Sequence, residues 1–187
     1  MIFDQPQQPL EYQDRSAQRL SLLTSLIAVF EKSFSSVQYR ILEPIGAINA
    51  QASRANGQRL VDIFGGLAFH PVVRHDCLVF TMLHETGHHL SSGCRLPWAQ
   101  LACECSADRW AITAGREALA VHGGNFQLDA ALRQIEQAVG PDAPKNPRKP
   151  GARTGCWSMD WCKRKQALLD GRAMALKTCR ISSAHPR

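Results

Sequence analysis

Two histidines four residues apart bracket a glutamate in His84-Glu85-Thr86-Gly87-His88, inside an otherwise apolar run over residues 78–90. On a helix, residues four apart stand one turn above each other, so His84 and His88 share a face. Two imidazoles held that way can share one tetrahedral zinc ion, and Glu85 stands where it can take a proton from an attacking water. A buried helix whose histidines merely hydrogen-bond in the core would explain one of them well and the pair poorly. Leu78, Val79, Met82, Leu83 and Leu90 predict a helix over 77–90, with Asp76 as its N-cap and Gly93 as its stop.

Zinc with two histidine ligands needs a third protein ligand and an open fourth position to be catalytic. A second helix is predicted over 98–120, and it carries Glu104-Cys105-Ser106-Ala107-Asp108. Glu104 can supply the third ligand from a neighbouring antiparallel helix. Asp108, one turn on, can accept the N–H of a ligating imidazole. The other ligand sets are weaker. His89 points about 100° away from His88 around the helix, and Cys94, Cys103 and Cys105 would make a closed, structural type of site.

The chain has 187 residues, 44% of them hydrophobic and 20% charged, which suits one globular domain. Its formal charge is +6, with much of the excess in the last third, among them Lys145, Arg148, Lys149, Lys163, Arg164, Lys165, Arg172, Lys177 and Arg180. That basic region suits an acidic partner or a solvated surface. It lacks the aromatic interleaving that would favour nucleic acid, so no nucleic-acid partner is expected. No apolar run is long enough to span a membrane, and the Pro/Gln-rich start does not read as a signal peptide. Seven cysteines pull the other way. The groups Cys94/Cys103/Cys105 and Cys156/Cys162/Cys179 suggest local disulfides and an exported or periplasmic setting, with Cys77 left as a free thiol in the core.

In chain order, residues 1–13 read as an extended, poorly ordered arm. Leu20, Leu23, Ile27 and Phe30 predict an amphipathic helix over 16–34. Val37, Tyr39 and Ile41 alternate as a strand, residues 45–52 read as a second strand, and Asn56-Gly57 signals a hairpin turn. Residues 59–69 read as a third strand, bulged at Gly65-Gly66, and its 60–69 part as the exposed edge on which a peptide would add itself. After the second ligand helix, His122-Gly123-Gly124-Asn125 forms a turn and a helix follows over 127–139. Residues 140–155, with four prolines, form a linker or surface loop. Cys156 to Cys162, with two tryptophans, leads into a last helix that includes Leu168 and Leu169.

The two motifs together, His84-Glu85-x-x-His88 and Glu104-x-x-Ala107-Asp108, resemble the gluzincin metallopeptidases, most of all peptidase family M48 and its small soluble relatives. Gly65 to Pro71 is also similar to that family's lead-in to the motif helix. The resemblance implies His84, His88 and Glu104 as zinc ligands, Glu85 as the catalytic base and Asp108 as a supporting group. It also implies a downstream residue that stabilises the oxyanion, for which His122 and Arg116 are available and His122, on a loop, is preferred. It covers roughly residues 65–111. A weaker likeness is to the ImmA/IrrE-type regulatory proteases, whose second motif ends in Asn.

The expectation is therefore an α+β, zincin-like core over 1–140 with a small N-terminal sheet, an active-site helix and a second ligand helix. A Pro-rich basic linker over 141–155 and a helical C-terminal cap over 156–187 follow. The implied activity is zinc-dependent hydrolysis of a protein or peptide substrate. A non-catalytic binding module with a structural zinc is the rival.

Overall fold

A computed structural model describes residues 12–93, 95, 100–140 and 161–170. The proline-rich segment, most of the basic C-terminal region, and Cys94, Cys156 and Cys179 lie outside them. The chain is α+β: α1 (Ala17–Ser33), β1 (Val37–Leu42), β2 (Ala50–Ala55), β3 (Gln58–Phe64), α2 (Gly65–Ala68), α3 (His75–Leu90), α4 (Glu104–Ile112), α5 (Ala114–Ala120), α6 (Leu128–Val139) and α7 (Trp161–Leu169).

Ser16 caps α1, its Oγ accepting the Arg19 N–H at 3.2 Å. The buried stripe of this helix is Arg19, Leu23, Leu26 and Phe30, while Leu20, expected inside, is 46% exposed. Arg19 displaces it for a reason. Its guanidinium donates to the carbonyls of Ala68 (2.6 Å), Val73 (2.7 Å) and His70 (3.2 Å), the turn that launches α3. Of the expected N-terminal arm, residues 1–11 lie outside the described residues, and just after it Asp14 N–H donates to Phe69 O at 2.7 Å.

The three strands stand in the order β1-β3-β2, with β1 parallel and β2 antiparallel to β3. The β2–β3 turn is the Asn56-Gly57 pair, both with positive φ (51° and 78°), as a two-residue hairpin of the I′ kind requires. Two expectations about β3 fail. It is the central strand, so among the described residues the sheet edge beside the motif helix is β2. It also stops at Phe64, because Gly65-Gly66 opens the short helix α2 instead of a bulge. The glycines are there for closeness: a Cβ on Gly65 would lie 2.2 Å from Glu43 O, and one on Gly66 2.0 Å from Gly46 O.

Helix α3 runs through the centre of the molecule, with every residue from Cys77 to His89 buried. Asp76 is not its N-cap. Asp76 Oδ1 accepts the Gln127 N–H at 2.7 Å before α6, and Gln134 Oε1 of α6 accepts the Arg74 N–H at 2.8 Å at the start of α3. The two helices thus satisfy each other's orphan donors. The stop of α3 is Ser91, not Gly93.

The predicted second helix is shorter at its start and broken in its middle. Residues 100–103 lie outside the helix, with Ala102 N–H donating to His88 O at 2.7 Å, and Thr113 (φ −121°, ψ −105°) separates α4 from α5. Cys77, Cys103 and Cys105 are buried and lie in no disulfide. The local disulfide expected in the Cys94/Cys103/Cys105 group is therefore absent at Cys103 and Cys105. Cys103 Sγ instead faces Ser106 Oγ at 3.2 Å, and burial pushes the Cys77 thiol up to about 12. Among the described residues, no helix is long and apolar enough to cross a membrane.

Candidate metal centre

His84, Glu85 and His88 form a buried group able to hold a metal ion. The four-residue spacing on α3 brings the two Nε2 atoms to 3.1 Å with the rings nearly perpendicular, at 87°. From the first turn of α4, Glu104 reaches both, with Oε2 3.2 Å from His84 Nε2 and Oε1 3.6 Å from His88 Nε2. Ligands about 2.0–2.1 Å from one tetrahedral ion stand about 3.3 Å apart, so the spacing of the two imidazoles suits one shared ion and Glu104 lies within reach of it.

The second ring nitrogens decide the tautomers. His88 Nδ1 lies 2.7 Å from Ala102 O, which can only accept, so Nδ1 carries the proton. His84 Nδ1 lies 2.8 Å from Asp108 Oδ1. With Nδ1–H committed on both rings, the Nε2 lone pairs face each other and call for a cation between them. In the metal-free protein that cation is a proton. Burial opposes charge on His84, but the Asp108 charge and hydrogen bond, with Glu104 beyond them, raise its pKa to about 9. Burial, and then the His84 charge, lower His88.

Glu85 is wholly buried and split in function. Its Oε2 accepts the Ala52 N–H of β2 at 2.8 Å and lies 4.0 Å from His88 Nε2. Its Oε1 is buried without a hydrogen-bond partner among the described residues. A carboxylate oxygen in that position is ready to take a proton or a ligand.

One residue of the centre was not foreseen. Arg164, from α7, places Nε 2.8 Å from Asp108 Oδ2, Nη2 2.7 Å from Asp108 Oδ1 and Nη1 3.0 Å from Glu104 Oε2. Against the cost of burial, this fork holds Asp108 at about 2 and Glu104 well below the usual carboxylate range. In the sequence Arg164 reads as part of a basic surface run. The available signal was its position four before Leu168, which is also buried. Lys165, its neighbour, reaches Glu136 of α6 at 2.7 Å.

Among the described residues, no hydrogen bond or ion pair links His122 to the centre. It is half-buried in the turn after α5, where its N–H donates to Leu119 O. Arg116 is engaged elsewhere, stacked over Phe126 at 5.1 Å and donating to its carbonyl. No family model, curated protein or solved structure matches this chain.

Proposed function

We propose that this chain is a zinc-dependent metallopeptidase with a zincin-like core of the gluzincin kind. The observation that carries the reading is the buried group of His84, Glu85 and His88, able to hold one ion, in which Glu85 keeps an unpartnered carboxylate oxygen among the described residues. A purely structural site has no need of that oxygen. Histidine and carboxylate donors at tetrahedral spacing suit zinc above the other common divalent ions. When bound, zinc would supply Lewis-acid polarisation of the scissile carbonyl and make water a nucleophile near neutral pH.

The chain's own residues do the rest. Ala52 N–H fixes the Glu85 carboxylate in place, and Glu85 is the base that takes a proton from water and returns it to the leaving amine. Asp108 and Ala102 O hold the two imidazoles in their ligating tautomers. The two-residue turn makes Ala55 and Gln58 a hydrogen-bonded pair, so the main-chain groups of Ala50, Ala52 and Arg54 face away from β3. Phe64 N–H bonding to Asn49 O follows the same alternation. That outer edge of β2, beside Glu85, is where an extended peptide would lie.

The test is elemental analysis together with hydrolysis of unfolded casein. About one zinc per chain is expected, lost in Glu104→Ala. Glu85→Gln keeps the zinc and hydrolyses casein at least about a hundredfold more slowly. A parent protein that takes up no zinc, or a Glu85→Gln variant with the parent's rate, refutes the proposal.

A further inference from the structure

Arg54 and Arg59 are directly opposite each other on β2 and β3. Directly opposed residues share a face of the sheet, and like charges placed so repel. The face is the one that Ala50, Ala52, Val61 and Ile63 present to the helices, since side chains alternate along a strand. No carboxylate among the described residues forms an ion pair with either arginine. Arg54 Nη1 has only Gln100 Oε1 at 3.3 Å, and Arg59 Nη1 has only Ser36 Oγ at 3.1 Å. A guanidinium offers five N–H donors, so most of both forks stay available. Both line a groove of about 720 Å³, together with Ser35, Ser36 and the single acidic residue Glu31, which pairs with neither.

We infer that the Arg54–Arg59 pair is a carboxylate subsite of the peptide cleft, selecting substrates with an Asp or Glu two residues from the bond opposite Glu85. The register comes from β2. Ala52 N–H touches Glu85, and Arg54 is the next residue on the same face, about 6.8 Å along the strand. A peptide laid on the outer edge of β2 repeats that alternation, so its side chain two residues on falls beside the arginine pair. A carboxylate there relieves the repulsion and can be gripped by two forks. The inference rests on the peptidase reading for its register, and on the charges alone for its chemistry.

The experiment separates the two. Fluorescein-labelled ten-residue peptides in an Ala/Gly/Leu background carry one Glu, or one Gln, at each position in turn. Binding is measured by anisotropy on the zinc-loaded Glu85→Gln variant at about 50 mM and 200 mM salt. Glu should bind about tenfold tighter than Gln at one register only, and less so at the higher salt. The preference should vanish on adding Arg54→Ala or Arg59→Ala and invert with Arg54→Glu. Arg54 is exposed, so its variants keep the fold, which circular dichroism checks. The subsite is overturned by equal Glu and Gln binding, by a preference that survives both alanine variants, or by tighter binding of a ten-nucleotide single-stranded DNA. Cleavage of the same peptides by the parent protein reports separately. Cleavage with no Glu preference sinks the subsite alone, whereas a preference in binding with no cleavage sinks the peptidase reading alone.

Discussion

Gly87, inside the H-E-x-x-H motif, is where α3 and α4 touch, and Gly87→Ala should loosen the metal more than it loosens the fold. An added Cβ would stand 2.8 Å from Ala107 O, 3.0 Å from Ala107 Cα and 3.2 Å from Trp110 Cε3. Ordinary van der Waals contact would require α4 to retreat by roughly half an ångström. The helix gains about 1 kcal/mol from Ala in place of Gly, against about 1–3 kcal/mol for overpacking. The net loss is then at most about 2 kcal/mol, a fall in Tm of up to about 8 °C for a domain of this size. Ala107 lies between Glu104 and Asp108 on α4, so the third ligand and the imidazole partner retreat with it. Metal sites tolerate only about 0.2 Å, and comparable disturbance around ligands costs about 10–100-fold in affinity. Chelator competition gives the zinc Kd, and thermal unfolding of the metal-free protein gives the stability. Zinc affinity equal to the parent's, whatever the Tm, would refute the claim that this crossing sets the ligand geometry.

Arg164→Met removes the guanidinium fork from the buried Glu104 and Asp108, which should cost about 3–5 kcal/mol at neutral pH. Arg164→Lys recovers only part, because an ammonium cannot reproduce the fork; a Tm of the Met variant within 2 °C or so of the parent would contradict this role. In the metal-free protein His84, raised to about 9, contributes stability that is fully present below its ordinary 6.5 and is lost as pH climbs through 9. The size is roughly 3 kcal/mol. Metal replaces that proton, so Tm should fall between pH 6.5 and 9 in chelator-treated protein and hold steady over the same interval with zinc. A metal-free Tm that stays flat there would show that His84 is not the protonated group.

What could be read from the sequence was local. The i, i+4 histidines and the apolar residues around them define α3, because helical spacing alone dictates which side chains meet. Asn56-Gly57 specified its turn through the positive φ that both residues tolerate. Glu104 and Asp108 were legible because they repeat the one-turn spacing on a second helix. Strand order was not, since nothing in residues 58–64 records that β1 and β2 both claim β3. Gly65-Gly66 was misread because a bulge and a close approach of two backbones ask for the same residue. Arg19 and Arg164 were missed for one shared reason. An arginine looks like solvent-facing charge until its acceptors, 49 to 54 residues away for Arg19 and 56 for Arg164 to Asp108, are brought to it by the fold.

Arg164 also dates the assembly of the centre. His84 and Glu104 leave the ribosome early, while the cation that offsets Glu104 and Asp108 is made 56 residues after Asp108. A nascent chain released from the tunnel up to α6 holds three carboxylates around its two imidazoles and no arginine fork to balance them. The charge balance of the finished centre therefore depends on α7. Along the chain, the cation that balances the centre is the last of its described members.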